Sequence, residues 1–338
     1  MNRVSIKDIA HELGVSIATV SLVLNGKDKN GRVGKEMAEK IRHKAKEMNY
    51  EPNNLARGLR MGVSNTIGLI VTDISNLFFA NLAFHIQEQA EKFGYSVIIT
   101  NTNESNLKLE KMINILKSKL IDGFIIVPTE HGESLIQNLV KRNMPVVLID
   151  RYFPNLKVSS VIVDNYNASK KALRCLINEG CRNIGLVIYK SDLQHMLDRK
   201  KGYVDELQNA GLYNSALIKE INYSSITNDI TIAMESLLSL ENEVDGIFFA
   251  TNTLSMLSIK YMREMNIKLY EDIKVVCFDK SDVFDFIPVH IPYVQQPIAE
   301  MGTNAVRLLI EQMKRKSVEH KENEVKIVEL QTSLVNVL

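Results

Sequence analysis

From Thr66 onward, short apolar runs alternate with segments of helical periodicity, and this alternation decides what most of the chain can fold into. The first runs are Ile67-Gly68-Leu69-Ile70-Val71, Ser96-Val97-Ile98-Ile99-Thr100, Gly123-Phe124-Ile125-Ile126-Val127 and Val146-Val147-Leu148-Ile149-Asp150. Amphipathic stretches over about 79–93, 107–120 and 135–142 separate them. A strand that is apolar on both sides must be covered on both sides, so this order predicts a doubly wound parallel sheet. The pattern then restarts, with helices predicted over about 168–179, 199–210 and 253–265 and strands at 184–188, 246–250 and 274–279. Two such sheets in tandem make two lobes, with the chain crossing between them near Val163 and Tyr293. An amphipathic helix from Glu300 to Lys314 is expected to return to the first lobe, before a charged loop and a strand near Val325 to Leu330.

The first 50 residues are built differently. Ser5 followed by Asp8 is an N-cap signal, and Ile6, Ile9, Ala10 and Leu13 form one apolar stripe that Gly14 ends. A second helix starts at once, capped by Ser16 and burying Val20, Val23 and Leu24, so two short helices meet across a tight turn. Its remaining positions, Ile17, Ala18, Ser21 and Leu22, are read as exposed; they are small, hydroxylic or apolar, which suits close approach to phosphates and thymine methyl groups in a major groove. A polar, glycine-punctuated loop follows Asn25, and a third helix is predicted from about Lys35 to Met48 with Met37, Ile41, Ala45 and Met48 inward. The Gly26 to Gly31 spacing is no phosphate loop: no Lys-Ser/Thr pair follows and no strand precedes.

Charge supports a polyanion partner at this end alone. Residues 1–62 hold 12 Lys/Arg against 7 Asp/Glu, whereas the rest of the chain holds 29 against 33. Cys175, Cys181 and Cys277 form no CxxC pair, so neither a disulfide framework nor a zinc site is indicated and a reducing cytoplasm is expected. No apolar h-region opens the chain and no apolar run approaches the ~20 residues of a membrane span. Neither a cofactor nor a metal is expected, since the histidines make no HExxH spacing and neither GxSxG nor a Walker loop occurs.

Five blocks in order, Asp8-Ile9-Ala10, Gly14-Val15-Ser16, Thr19-Val20-Ser21, Asn25 and Asn49-Tyr50-Glu51-Pro52-Asn53, make the chain similar to the LacI/GalR family of bacterial transcription regulators. The resemblance implies an all-α helix-turn-helix head over 1–51, a hinge segment over 52–62, and a periplasmic-binding-protein-like core over 63–338. The first lobe is expected over about 63–163 and 293–322, the second over about 164–292 and 323–338. It also implies DNA contacts from Ser16, Ile17, Ala18, Thr19, Ser21, Leu22, Asn25, Tyr50 and Asn53. In the family the hinge folds on DNA and inserts a leucine in the minor groove; here that leucine is Leu59, with Ala56 beside it. Leu22 departs from the family, which commonly has arginine there. Gly34 stands where a capping serine is usual.

For a small effector, carboxyl ends of strands are the first place to look. Asp150 and Asp279 end strands, and the family keeps an aspartate at the second position to accept bonds from sugar hydroxyls. By match to family motifs, Phe78 or Phe79 stacks on a flat face, Arg199 of Arg199-Lys200-Lys201-Gly202 reaches into the cleft, Tyr223 is an aromatic platform, and Asn252 and Gln296 supply amides. Thr253 and Lys280 replace carboxylates that the family usually has. With Lys201 they suggest a basic cleft rim, and hence an acidic sugar or sugar phosphate as the alternative to a neutral sugar. The expected function is a homodimeric repressor on near-palindromic operator DNA, cytoplasmic and nucleoid-associated, controlled by a sugar-like effector. A small-molecule binding protein without DNA function, or an enzyme, are the competing classes.

Overall fold

The computed structural model describes residues 4–28, 33–50, 63–239, 243–318 and 324–335. It divides into two compact units, Met1–Ser64 and Asn65–Leu338. Among the described residues no helix is long and apolar enough to cross a membrane.

Among its described residues the first unit has three helices: α1 (Ile6–Glu12), α2 (Ile17–Leu24) and α3 (Lys35–Glu47). The capping box forms, the Ser5 backbone N–H donating to the Asp8 carboxylate at 2.8 Å. Gly14, at φ +62°, takes the left-handed conformation that ends α1, and Ser16 Oγ then accepts the Thr19 N–H at 3.1 Å to start α2. Ile9, Val20 and Ile41, one from each helix, are fully buried against one another with Ala10, Val23, Ala38 and Ala45. Gly34 caps α3 with no side-chain bond, in extended conformation.

Among its described residues the second unit holds two six-stranded sheets. The first takes β1 (Thr66–Val71), β2 (Ser96–Asn101), β3 (Gly123–Ile126), β4 (Val146–Ile149), β5 (Ser159–Val163) and β11 (Ile327–Leu330), in the order β11-β5-β4-β3-β1-β2, all parallel. The second takes β6 (Ile184–Tyr189), β7 (Ile218–Ile221), β8 (Gly246–Phe249), β9 (Lys274–Phe278), β10 (Tyr293–Gln295) and β12 (Ser333–Val335), in the matching order β12-β10-β9-β8-β6-β7. Only the β12 pairing is antiparallel.

Helices cover both faces of each sheet. In the first lobe α4 (Leu77–Lys92) and α11 (Ile298–Val318) pack on the side of Ile67, Leu69 and Val71, while α5 (Asn106–Ser118) and α6 (Glu133–Lys141) pack on the side of Ile70, Phe124 and Ile126. In the second, α7 (Asn165–Asn178) and α8 (Gln194–Asn209) lie on one face, α9 (Ile226–Leu237) and α10 (Asn252–Glu264) on the other. The fully buried strands explain why the sequence carries continuous apolar runs rather than alternation.

The lobe boundaries differ from expectation in two places. Residues 293–295 pair with β9 and belong to the second lobe, whereas 327–330 pair with β5 and belong to the first. The chain therefore crosses between lobes after β5, after β10 and after β11. Both segments are short, and hydrophobicity alone does not say which sheet edge each will extend. The strands β5, β7, β10 and β12 and the helix α9 lie outside the elements expected from the sequence; β7, Ile-Lys-Glu-Ile, is an edge strand with polar middle positions and no apolar run.

Candidate functional site

The carboxyl ends of the two sheets border one cavity of about 460 Å³. β4 and β9, equivalent in the two strand orders, each lead into an aspartate, and both Asp150 and Asp279 have φ of +69°. Their N–H groups make the same bond, Asp150 to the Val161 carbonyl at 2.9 Å and Asp279 to the Val294 carbonyl at 2.8 Å. Each lobe thus turns an acid out of its sheet by the same backbone device. Burial pushes the Asp279 carboxyl up to about 6, against the pull of Arg199 and of Gln296. Burial also raises Asp150, opposed by Arg151 and Arg199.

Arg199 rides on α8, whose Gly202 lets the helix press onto α7. A Cβ there would lie 2.4 Å from the Tyr166 carbonyl oxygen. The guanidinium lies 3.4 Å from the centre of the Phe278 ring, its Nε donates to Asn165 Oδ1 at 2.8 Å, and its Nη1 donates to the Ala250 carbonyl at 2.7 Å. Burial pulls its pKa down to about 10, with Asp279 and then Asp150 acting in the other direction. Gln296 Nε2 donates to both Asp279 oxygens, at 3.0 and 3.1 Å, while its buried Oε1 has no hydrogen-bond partner among the described residues.

All eight effector candidates, Phe78, Phe79, Asp150, Arg199, Tyr223, Asn252, Asp279 and Gln296, border the cavity. Phe78 and Phe79 do so from within the first lobe's core, 7% and 6% exposed and packed edge-on to each other at 5.0 Å. Tyr223 is the more open aromatic, tilted against Tyr189 at 5.9 Å.

Several bordering residues escaped the sequence reading. Glu104, Glu130 and Tyr189 come at or just after the ends of β2, β3 and β6, so the strand-end rule applied to every strand would have found them. Arg151 adjoins Asp150 and grips Glu104 with both terminal nitrogens, at 2.8 and 2.9 Å. His195, on the first turn of α8, is buried with Nδ1 unpartnered among the described residues, and burial followed by Arg151 and Arg199 holds its pKa well below the usual range. Thr253 bonds across the lobes, its Oγ1 accepting from Asn76 Nδ2 at 3.3 Å.

The expected basic rim is not there. Lys201 points its ammonium at the Tyr166 ring, 5.7 Å from the centre, and Lys280 is paired with Asp285 at 2.8 Å; neither borders the cavity. Around the cavity the acids Asp73, Glu104, Glu130, Asp150 and Asp279 outnumber the bases Arg151, Lys190 and Arg199.

In the head, Ser16, Ile17 and Ala18 are exposed at the start of α2, and Ile17 is 44% exposed. Thr19 is half-buried, with its hydroxyl 2.8 Å from that of Ser16. Ser21 and Leu22, expected to be exposed, are half-buried because they flank the stripe of Val20, Val23 and Leu24. Asn25 closes the helix, its Nδ2 donating to the Ser21 carbonyl at 2.7 Å. Tyr50 packs partly into the head's core. Asn53, Ala56 and Leu59 lie outside the described residues.

A family model described as "Bacterial regulatory proteins, lacI family" matches residues 5–53, and one described as "Periplasmic binding proteins and sugar binding domain of LacI family" matches 64–241. The chain belongs to the LacI family. The ribose operon repressor of Halalkalibacterium halodurans is 30% identical, covering 93% of this chain and 92% of its own length. Catabolite control protein A of Priestia megaterium is 31% identical, covering 94% of each. The lac repressor dimer bound to operator and the anti-inducer ONPF has the same fold, with a TM-score of 0.83 over 99% of this chain and 98% of that one at 19% identity. This LacI-family protein is therefore a DNA-binding transcriptional regulator, not an enzyme, with an effector-binding domain that follows its helix-turn-helix head in sequence.

Proposed function

We propose that this LacI-family regulator is a cytoplasmic, homodimeric repressor whose cleft takes a neutral sugar. The observation that carries the sugar is the cavity's lining: carboxylates, an amide and a stacked arginine whose Nε and Nη1 are already committed to the protein, in a volume of about 460 Å³. That volume suits a ligand of one or two sugar rings. Strand-end acids accept from vicinal hydroxyls, Arg199 donates through Nη2, and Tyr223 offers a ring face. Supporting relatives are the ribose operon repressor and the solved CelR–cellobiose complex, TM-score 0.72 at 24% identity.

A second copy of the chain is supported by the edge of the first sheet. β2 leaves Ile98 and Ile99 each 37% exposed, and α5 beside it leaves Leu107 81% and Ile115 40% exposed. An apolar sheet edge of this kind is ordinarily covered. Two heads then meet two half-sites of a near-palindromic operator, each with α2 in the major groove, and the hinge carrying Ala56 and Leu59 meets the minor groove between them. Effector binding changes how the lobes are set and so the affinity for operator.

Three measurements test this. Affinity for duplex DNA should fall steeply with salt, with log K dropping by about 0.9 per phosphate contact per log unit of salt; a flat dependence would remove the DNA role. Calorimetric titration should show heat with neutral pentoses, hexoses or their disaccharides, and binding restricted to uronates or phosphates would reject the neutral cleft. Operator selection should return A·T where Leu22 faces the groove. Leu22→Arg should shift that position toward G·C by roughly 1–3 kcal/mol, the worth of a bidentate guanine contact.

A further inference from the structure

The first lobe's wall of the cavity holds an arginine whose two terminal nitrogens are both gripped by a neighbouring carboxylate. Arg151 is nearly buried, its side chain 12% exposed, and Glu104 opposite it is 21% exposed. Glu104 Oε1 accepts from Nη2 at 2.8 Å and Oε2 accepts from Nη1 at 2.9 Å. Nη1 also reaches the Pro128 carbonyl at 3.3 Å, and Nε lies 3.5 Å from the Asp150 carboxylate. Both terminal nitrogens are therefore engaged by Glu104, Nε has no hydrogen-bond partner among the described residues, and one cation faces two anions.

We propose that Glu104 is the specificity-determining residue that closes this cleft to anionic ligands, by occupying both terminal nitrogens of Arg151. The inference rests on the neutral-sugar reading and says what enforces it. A phosphate or carboxylate entering the cavity must give up its water, and only a cation with free donors can repay that. Arg199 does not serve, since it is flanked by Asp279 and Asp150 and spends two of its three nitrogens on Asn165 and Ala250. Arg151 would serve if Glu104 were neutral: its planar fork matches a phosphate's oxygens in pairs. Glu104 is also held at φ +57°, directly after Asn103 at φ +48°, a conformation uncommon for glutamate. The loop after β2 thus carries its carboxylate to Arg151, which lies 47 positions further along the chain.

The test is calorimetry on the full-length wild type, Glu104→Gln and Glu104→Asp with matched pairs, ribose with ribose 5-phosphate and glucose with glucose 6-phosphate. In parallel, melting curves are recorded with inorganic phosphate. Glu104→Gln should raise the ratio of phosphate-ester to parent-sugar affinity at least tenfold and should be stabilised by inorganic phosphate where the wild type is not. Glu104→Asp, which keeps the charge, should stay within threefold of the wild-type ratio, and the added change Arg151→Gln should erase the gain. If the wild type binds a neutral sugar and Glu104→Gln keeps the wild-type ratio and ignores inorganic phosphate, the role of Glu104 is overturned while the neutral reading stands. If the wild type itself prefers the phosphate esters, the neutral reading falls, and this inference with it.

Discussion

Asp279→Asn is expected to lose effector binding and at the same time to raise the melting temperature of the effector-free protein. The Asp279 carboxyl is pushed up to about 6 from an ordinary 3.8, with burial the largest cause. Between those two values the folded protein binds more protons than the unfolded chain, so stability falls as pH rises through the window and the full cost is present above about pH 6. Asparagine keeps the shape, still accepts from Gln296 Nε2 and tolerates φ near +69°, but carries no charge to desolvate. At about 1.4 kcal/mol per pKa unit, the gain at pH 7.5 is on the order of 3 kcal/mol, and it should vanish below about pH 4. Removing the charged acceptor should weaken effector binding by about 100-fold, the worth of one or two charge-assisted bonds. For the same reason wild-type affinity should drop as pH falls below about 6. Melting curves at pH 7.5 and pH 4, beside titrations at pH 7.5 and pH 5, check all of this; a variant that melts earlier at pH 7.5 would contradict the desolvation argument.

The second large effect is expected from Gly202→Ala. The added methyl carbon would sit 2.4 Å from the Tyr166 carbonyl oxygen and 2.9 Å from Ser169 Cβ, and the first of these is backbone that cannot swing aside. Overpacking of this kind costs about 1–3 kcal/mol, and α8 can relieve it only by backing away from α7. Arg199, one turn earlier on the same helix, moves with it and leaves Asn165 and the Phe278 ring. The expected result is a lower denaturation midpoint together with an effector affinity reduced more than tenfold. An unchanged midpoint with unchanged affinity would mean the helix contact is softer than the geometry says.

Much of this architecture could be read from the residues because periodicity reports burial. The continuous run of β1 and the stripe of Ile9, Val20 and Ile41 follow from how strands and helices hide apolar atoms, and the strand-end rule led to Asp150 and Asp279. What could not be read depends on contacts distant in sequence. Nothing local marks Arg151 as silenced, because its partner is 47 residues away. Nor does adjacency in sequence mean adjacency in space: Lys201, two positions after Arg199, lies roughly 200° around the helix and so faces away from the cleft. Lys280 directly follows Asp279, yet its partner is Asp285 outside the cavity. The assignment of 293–295 and 327–330 to sheets was undecidable for a related reason, since two open sheet edges compete for either segment.

That exchange of strands between lobes has a consequence for synthesis on the ribosome. The lobe that begins first is finished only near the end of the chain: Met301, Ala305, Val306 and Leu309 of α11 fill the core around Ile67 and Leu82, and β11 closes the sheet's edge only at 327–330. Until those residues emerge, the part of the early sheet's underside that α4 does not cover stays bare while the later lobe is being made. A nascent chain of this protein must therefore keep an unfinished, sticky surface in solution for most of its translation, which is the interval in which it depends most on chaperones.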